Sequence, residues 1–120
     1  MLISEEEQKF LIYLEKLIGL SITEVSDLQS YTFGYTIENN HVDGLSLFSC
    51  GLTIIPEKIT TLRFLKKLLV RGNKLRVIPD ELCFISSLDT LDLSENRLVK
   101  LPKVIYSLSS LKEFSSTLKM

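Results

Sequence analysis

From Val42 onward, apolar residues recur at a fixed period of about 23 residues, and the positions between them are mostly polar. The first unit reads Val42, Leu45, Leu47, Cys50, Leu52, Ile55-Pro56, Ile59, Leu62. The second reads Leu65, Leu68, Val70, Asn73, Leu75, Ile78-Pro79, Leu82, Ile85, and the third Leu88, Leu91, Leu93, Asn96, Leu98, Leu101-Pro102, Ile105, Leu108. The alternation at the start of each unit predicts a short strand with every second side chain directed inward. The Asn that follows (Asn73, Asn96) lies where the chain must turn, and its amide can satisfy backbone groups that would otherwise be buried unpaired. Cys50 holds that position in the first unit, and a thiol is a weaker donor, so the ladder is expected to be least well satisfied there. The Ile/Leu-Pro pair fixes φ on the return limb and removes a donor with no ladder to join. A single unit cannot bury its own apolar face, so the units are expected to stack into a curved solenoid with one shared core.

The segments LKKLLVRGNKLRVIPDEL and LDTLDLSENRLVKLPKVI resemble intracellular leucine-rich repeats of the LPxxI kind, as in Ras-suppressor-like and Scribble-like proteins. The resemblance covers roughly Val42 to Phe114. It implies a parallel sheet on the concave side, recognition of another protein there, and no chemistry. It also points to a small GTPase or another signalling protein as the partner class. The last unit departs from the pattern: Leu111 and Phe114 fit, but Ser116 stands at the third apolar position and the sequence ends at Met120.

Ahead of the repeats, Ser4 and Glu7 form a capping box, and Phe10, Leu11, Leu14, Leu17 and Ile18 fall on one face of an amphipathic helix ending near Gly19. Such a helix is expected to cover the apolar end of the solenoid. A docking helix for a membrane would carry a Lys/Arg-rich polar face, which this one lacks. Between Ser21 and Ser30, Ile22, Val25 and Leu28 suit either a short helix or an irregular crossing. The alternation of Phe33, Tyr35 and Ile37, with turn residues Asn39-Asn40, predicts a hairpin from Tyr31 to Leu47 that closes the first sheet edge. The segment YTFGYTIENNHVDGLSL resembles a lead-in to the repeats of some archaeal leucine-rich-repeat proteins. His41, the only histidine, reads as a solvated loop residue, because nothing nearby completes a metal site. The expected fold class is α/β: a short leucine-rich-repeat solenoid in one domain, with a helical cap and hairpin over 1–41, three repeats over 42–110 and a partial repeat or C-terminal end over 111–120.

With the apolar strand positions directed inward, the intervening ones face out over the concave sheet: Gly44, Ser46, Phe48 and Ser49, then Lys67, Leu69, Arg71 and Gly72, then Thr90, Asp92, Ser94 and Glu95. Candidate partner-binding residues are therefore Ser46, Phe48, Lys67, Leu69, Arg71, Thr90, Asp92 and Ser94. Phe48 and Leu69 are large apolar groups sent towards water beside Arg71, the composition of an interface hot spot; equally, scattered apolar surface residues are ordinary. The cations Lys66, Lys67, Arg71, Lys74 and Arg76 mark the second unit and the anions Asp89, Asp92 and Glu95 the third. These charges either pair across the strands or stay available to a partner.

A net charge of −1 from mixed signs gives no basic field for a phosphate backbone, so nucleic acid is not an expected partner. Hydrophobic residues at 45% suffice for a core. The two cysteines sit at different repeat positions, Cys50 towards the core and Cys83 on the convex limb, which suits a reducing, cytoplasmic setting better than a disulfide. The start of the chain has no secretion-signal pattern and no apolar run long enough for a membrane span. With one histidine, no Gly-rich phosphate loop, no nucleophile elbow and no zinc-ligand spacing, no catalytic, cofactor or metal site can be assembled. Asp92 and Glu95 are expected on a broad open surface with no burial to shift a pKa. The reading is a non-catalytic protein-recognition module or scaffold. The alternative is self-assembly into a homo-oligomer through the open C-terminal end, where Leu111, Phe114 and Leu118 must cover apolar surface.

Overall fold

The structure is a computed structural model that describes residues 3–100 and 102–118. Helix α1 (Glu5–Ile18) leads through an irregular crossing into a hairpin of β1 (Phe33–Glu38) and β2 (His41–Leu47). Three further strands follow, β3 (Lys67–Leu69), β4 (Thr90–Leu98) and β5 (Glu113–Leu118), each reached through a single 3₁₀ turn: Glu57–Thr61, Asp80–Phe84 and Lys103–Ser107. The strands form one sheet in chain order; β1 is antiparallel to β2, and all later pairs are parallel. This is the expected solenoid: strands on one side, tight turns on the other, one coil per repeat.

Register follows the repeat. Leu45 lies opposite Leu68, Leu68 opposite Leu91, and Leu91 opposite Phe114. These leucines, with Val42, Leu47, Leu65, Val70, Leu75, Leu88, Leu93 and Leu98, are fully or almost fully buried in a single core cluster. A one-residue slip would turn the whole set to solvent, so the apolar pattern alone fixes the pairing. The prolines Pro56, Pro79 and Pro102 have φ of −62°, −68° and −63° and stand directly before the 3₁₀ turns. Their fixed φ is the one needed, and the missing N–H leaves no orphan donor at the turn's start. The Leu101 position of the third unit and the side chain of Leu118 lie outside the described residues. In the last unit β5 pairs with β4 despite Ser116, which lies opposite Leu93 where the other coils place an apolar residue.

The two repeat asparagines form the ladder that the turn demands. Oδ1 of Asn73 accepts from the N–H groups of Cys50 (3.0 Å) and Leu52 (2.9 Å), while its Nδ2 donates to the carbonyls of Leu47 (2.7 Å) and Val70 (3.0 Å). Asn96 repeats the arrangement one coil on, accepting from Leu75 N–H and donating to Val70 and Leu93. Each amide thus serves its own turn and the preceding one. In the first unit Cys50 donates its N–H to Asn73 Oδ1, and its thiol makes only long contacts to Asn73 Oδ1 (3.4 Å) and Leu47 O (3.7 Å), weaker than those of the asparagine amides. Before Cys50 comes an antiparallel hairpin rather than another coil, so no earlier turn requires an amide. Burial pushes the Cys50 thiol up, keeping it protonated. Both cysteines are free.

Helix α1 begins at Ser4, whose hydroxyl oxygen accepts from Glu7 N–H, and ends at Gly19 in the left-handed conformation at φ 76°. Phe10, Leu11 and Leu14 enter the same core as the repeat leucines. The last turn does not follow as expected: Leu17 is exposed and Ile18 only partly buried. Residues 19–32 form no helix; they cross irregularly, fixed by Ile22 N–H donating to the Glu15 carboxylate (2.7 Å) and by a short bridge of Thr23 and Val25 to Tyr35. Only glycine fits at Gly34 beneath that bridge, since a Cβ there would stand 2.6 Å from Thr23 O.

Candidate functional site

The concave side is not an open sheet. The outward row across the strands is Ser46, Leu69, Asp92 and Ser115, set by the register, and the chain's own residues 27–32 lie over it. Ser46 Oγ donates to Thr32 O (2.5 Å), and Ser30 Oγ donates to Asp92 Oδ2 (3.0 Å). The segment therefore bridges the neighbours on either side of Leu69. Leu69 is 6% exposed, and it and Leu28 are buried yet lie outside the core cluster. Leu28 sits over Gly44, where any Cβ would collide with its side chain. A Gly at this position is what admits the crossing segment.

Four of the eight expected binding residues, Ser46, Leu69, Asp92 and Ser94, are buried rather than presented to water. Lys67 is exposed, and Phe48, Arg71 and Thr90 are half-buried. Phe48 and Arg71 meet through a side chain that sequence reasoning did not single out. The Tyr31 ring stands edge-on to Phe48 at 5.0 Å with an interplanar angle of 73°, and the Arg71 guanidinium lies 5.1 Å above the Tyr31 ring. Tyr31 is itself 64% exposed. Gly72, at φ 74°, leaves room beside the Phe48 ring, which a Cβ would approach to 3.3 Å.

Of the sorted charges, Arg71 pairs across the strands with the anions of the third unit. Arg71 donates to Glu95 through Nη2 (2.9 Å) and Nε (3.2 Å), and its Nη1 is 3.8 Å from Asp92. Lys66 reaches Glu38 of the hairpin at 2.6 Å. Asp92 is 4% exposed, not on the open surface expected for it. Its oxygens take Ser30 Oγ, Ser94 N–H (2.9 Å) and Ser115 Oγ (3.5 Å), so the buried carboxylate is satisfied within the chain.

A second buried carboxylate ties the cap to the repeats. Glu7 is 2% exposed. Its Oε1 accepts from Val42 N–H (2.7 Å), and its Oε2 lies 2.6 Å from Ser4 Oγ and 2.9 Å from His41 Nδ1. Burial on its own would raise the Glu7 carboxyl, but hydrogen bonds from Ser4, His41 and Val42 outweigh it and hold the group below the usual carboxylate range. His41 is therefore not a solvated loop residue: it is half-buried, stacked on Phe64 with centroids 4.0 Å apart. The signal for Glu7 was its place in the apolar stripe Ile3, Phe10, Leu14. Among the described residues no group of His, Cys, Asp and Glu could hold a metal ion, and no helix is long and apolar enough to cross a membrane.

Comparison with known proteins agrees with this geometry. The family described as Leucine rich repeat matches residues 63–115. A leucine-rich-repeat protein of Leptospira interrogans has a similar solved structure, with a TM-score of 0.55 and 23% identity over 89% of this chain. The chain spans 28% of the length of that protein. No curated protein matches the sequence.

Proposed function

We propose that the chain is a non-catalytic protein-recognition module that binds through the concave side of a short leucine-rich-repeat solenoid. The observation that carries this reading is the Phe48–Tyr31–Arg71 cluster: the concave side already holds an aromatic ring between a phenylalanine and a guanidinium. Aromatic groups and arginine dominate interface energetics. Lys67 and Thr90 extend the surface along the sheet, and Glu95 orients Arg71. The LPxxI pattern places small GTPases and other signalling proteins first among the partner classes to test.

In affinity capture from the source cell, the Phe48→Ala/Arg71→Ala variant is expected to lose its specific partner at least about tenfold, as removal of two hot-spot residues does. Retention of every partner by a folded double variant would rule the concave side out. The alternative of self-association rests on the outer edge of β5, an unpaired strand edge among the described residues. Phe114 beside it is already partly packed on the core, which favours recognition through the concave side.

A further inference from the structure

We propose that residues 28–32 are an internal occupant of the concave seat, and that its external ligand is a protein loop of the same chemistry. That loop carries a leucine-sized residue, then a hydroxyl two positions on and an aromatic directly after it, at the tip of a tight turn. The proposal rests on the concave-side reading above and deepens it by stating what the surface accepts and what must first leave.

The segment's own geometry defines the ligand. Thr32 N–H donates to Gln29 O (3.0 Å) and Gln29 N–H to Thr32 Oγ1 (2.9 Å), so residues 29–32 form a closed turn with Ser30 and Tyr31 at its tip. Each tip residue meets a matching group. The Ser30 hydroxyl finds the Asp92 carboxylate, the Tyr31 ring finds Phe48 and Arg71, and Leu28 fills the space over Gly44. The seat is therefore acidic at its floor, cationic and aromatic at its rim, and apolar at its far end.

The same contacts make the segment releasable. It is held to the sheet face by Ser46 Oγ, which donates to the carbonyls of Thr32 (2.5 Å) and Gln29 (3.5 Å), and by Ser30 Oγ donating to Asp92, with no strand pairing over the concave face among the described residues. Gln29 and Tyr31 remain exposed, and Leu28 is its one buried side chain. Segments held by few buried contacts open well below the global unfolding free energy. Its departure would uncover Leu69 and Asp92 and make the expected concave surface available to a partner.

A fluorescent peptide of sequence SDLQSYTF, residues 26–33, is the probe. The tethered copy acts at an effective concentration of about millimolar, so wild-type protein should bind the free peptide weakly. The Leu28→Ala/Ser30→Ala/Tyr31→Ala variant, with its internal occupant weakened, is expected to bind it at least tenfold more tightly. Adding Asp92→Asn, or using a peptide with Ser and Tyr replaced by Ala, is expected to reverse that gain. Should the triple variant not fold, the single Tyr31→Ala variant serves as recipient, with the same direction of change. Equal affinity for wild type and variant, or binding to neither, overturns the proposal. If that happens while capture still depends on Phe48 and Arg71, only the internal-ligand idea falls and the recognition surface stands.

Discussion

Replacement of Asn73 with alanine is expected to destabilise the protein by roughly 3–5 kcal/mol, since it strips several buried backbone groups of their partner at once. The Cys50 and Leu52 N–H groups lose their shared acceptor, and the Leu47 and Val70 carbonyls lose a donor. Each unsatisfied buried group costs about 1–3 kcal/mol, moderated where water can enter. Against a total stability of about 5–15 kcal/mol for an ordinary domain, this is a large share. Urea unfolding should show a lower midpoint with an unchanged slope, the mark of a stability change rather than a more compact denatured state. Asn73→Asp should not rescue it, because a carboxylate keeps the acceptor but faces Leu47 O and Val70 O with no donor. A loss below about 1 kcal/mol would mean that water or the neighbouring turn takes over the amide's work.

The second large effect concerns Glu7. Its carboxylate accepts from Val42 N–H, where the first repeat begins, and bonds to Ser4 and His41. Glu7→Gln is expected to cost about 2 kcal/mol at neutral pH, since bonds to a charged acceptor are worth about 1.5–3 kcal/mol each and the neutral amide carries no charge and only one acceptor oxygen. The pH dependence has a definite sign. The folded-state pKa of Glu7 lies below the ordinary value of a free glutamate, so its contribution is fully present above the unfolded value. It is lost as pH falls through the lower folded value. Stability measured against pH should therefore fall on the acid side more steeply in the wild type than in Glu7→Gln, and the two curves should converge at low pH. Parallel curves would show that Glu7 does not carry the linkage.

Both effects act on features that differ in how far the sequence revealed them. The repeat leucines, the register from Leu45 to Leu91 and the Asn turn positions are legible because a stacked coil uses the same residue type at the same position every time. The hairpin follows from local alternation and Asn39-Asn40, which adopt φ of 53° and 66° at the turn. The concave side is different. Its register sets Ser46, Leu69 and Asp92 in one row, but their exposure depends on residues 27–32, which have no periodicity and lie 62 positions from Asp92 in the Ser30 contact. Leu28 looked like one more weak apolar position, and Tyr31 like the start of a strand. Nothing local marks a segment that will fold back over the sheet, although Gly44 between two apolar strand positions is consistent with a close approach. Glu7 illustrates the reverse case: an acid in an apolar helical stripe was visible, but its capping role had already explained it.

The most direct test of the concave side as the recognition surface is amide hydrogen exchange of the protein alone and in complex with its captured partner. Binding is expected to slow exchange around Phe48, Arg71-Gly72 and Glu95, and to speed it in residues 28–32 as they leave the sheet. Protection confined to helix α1 or the 3₁₀ turns, with the concave amides unchanged, would contradict it.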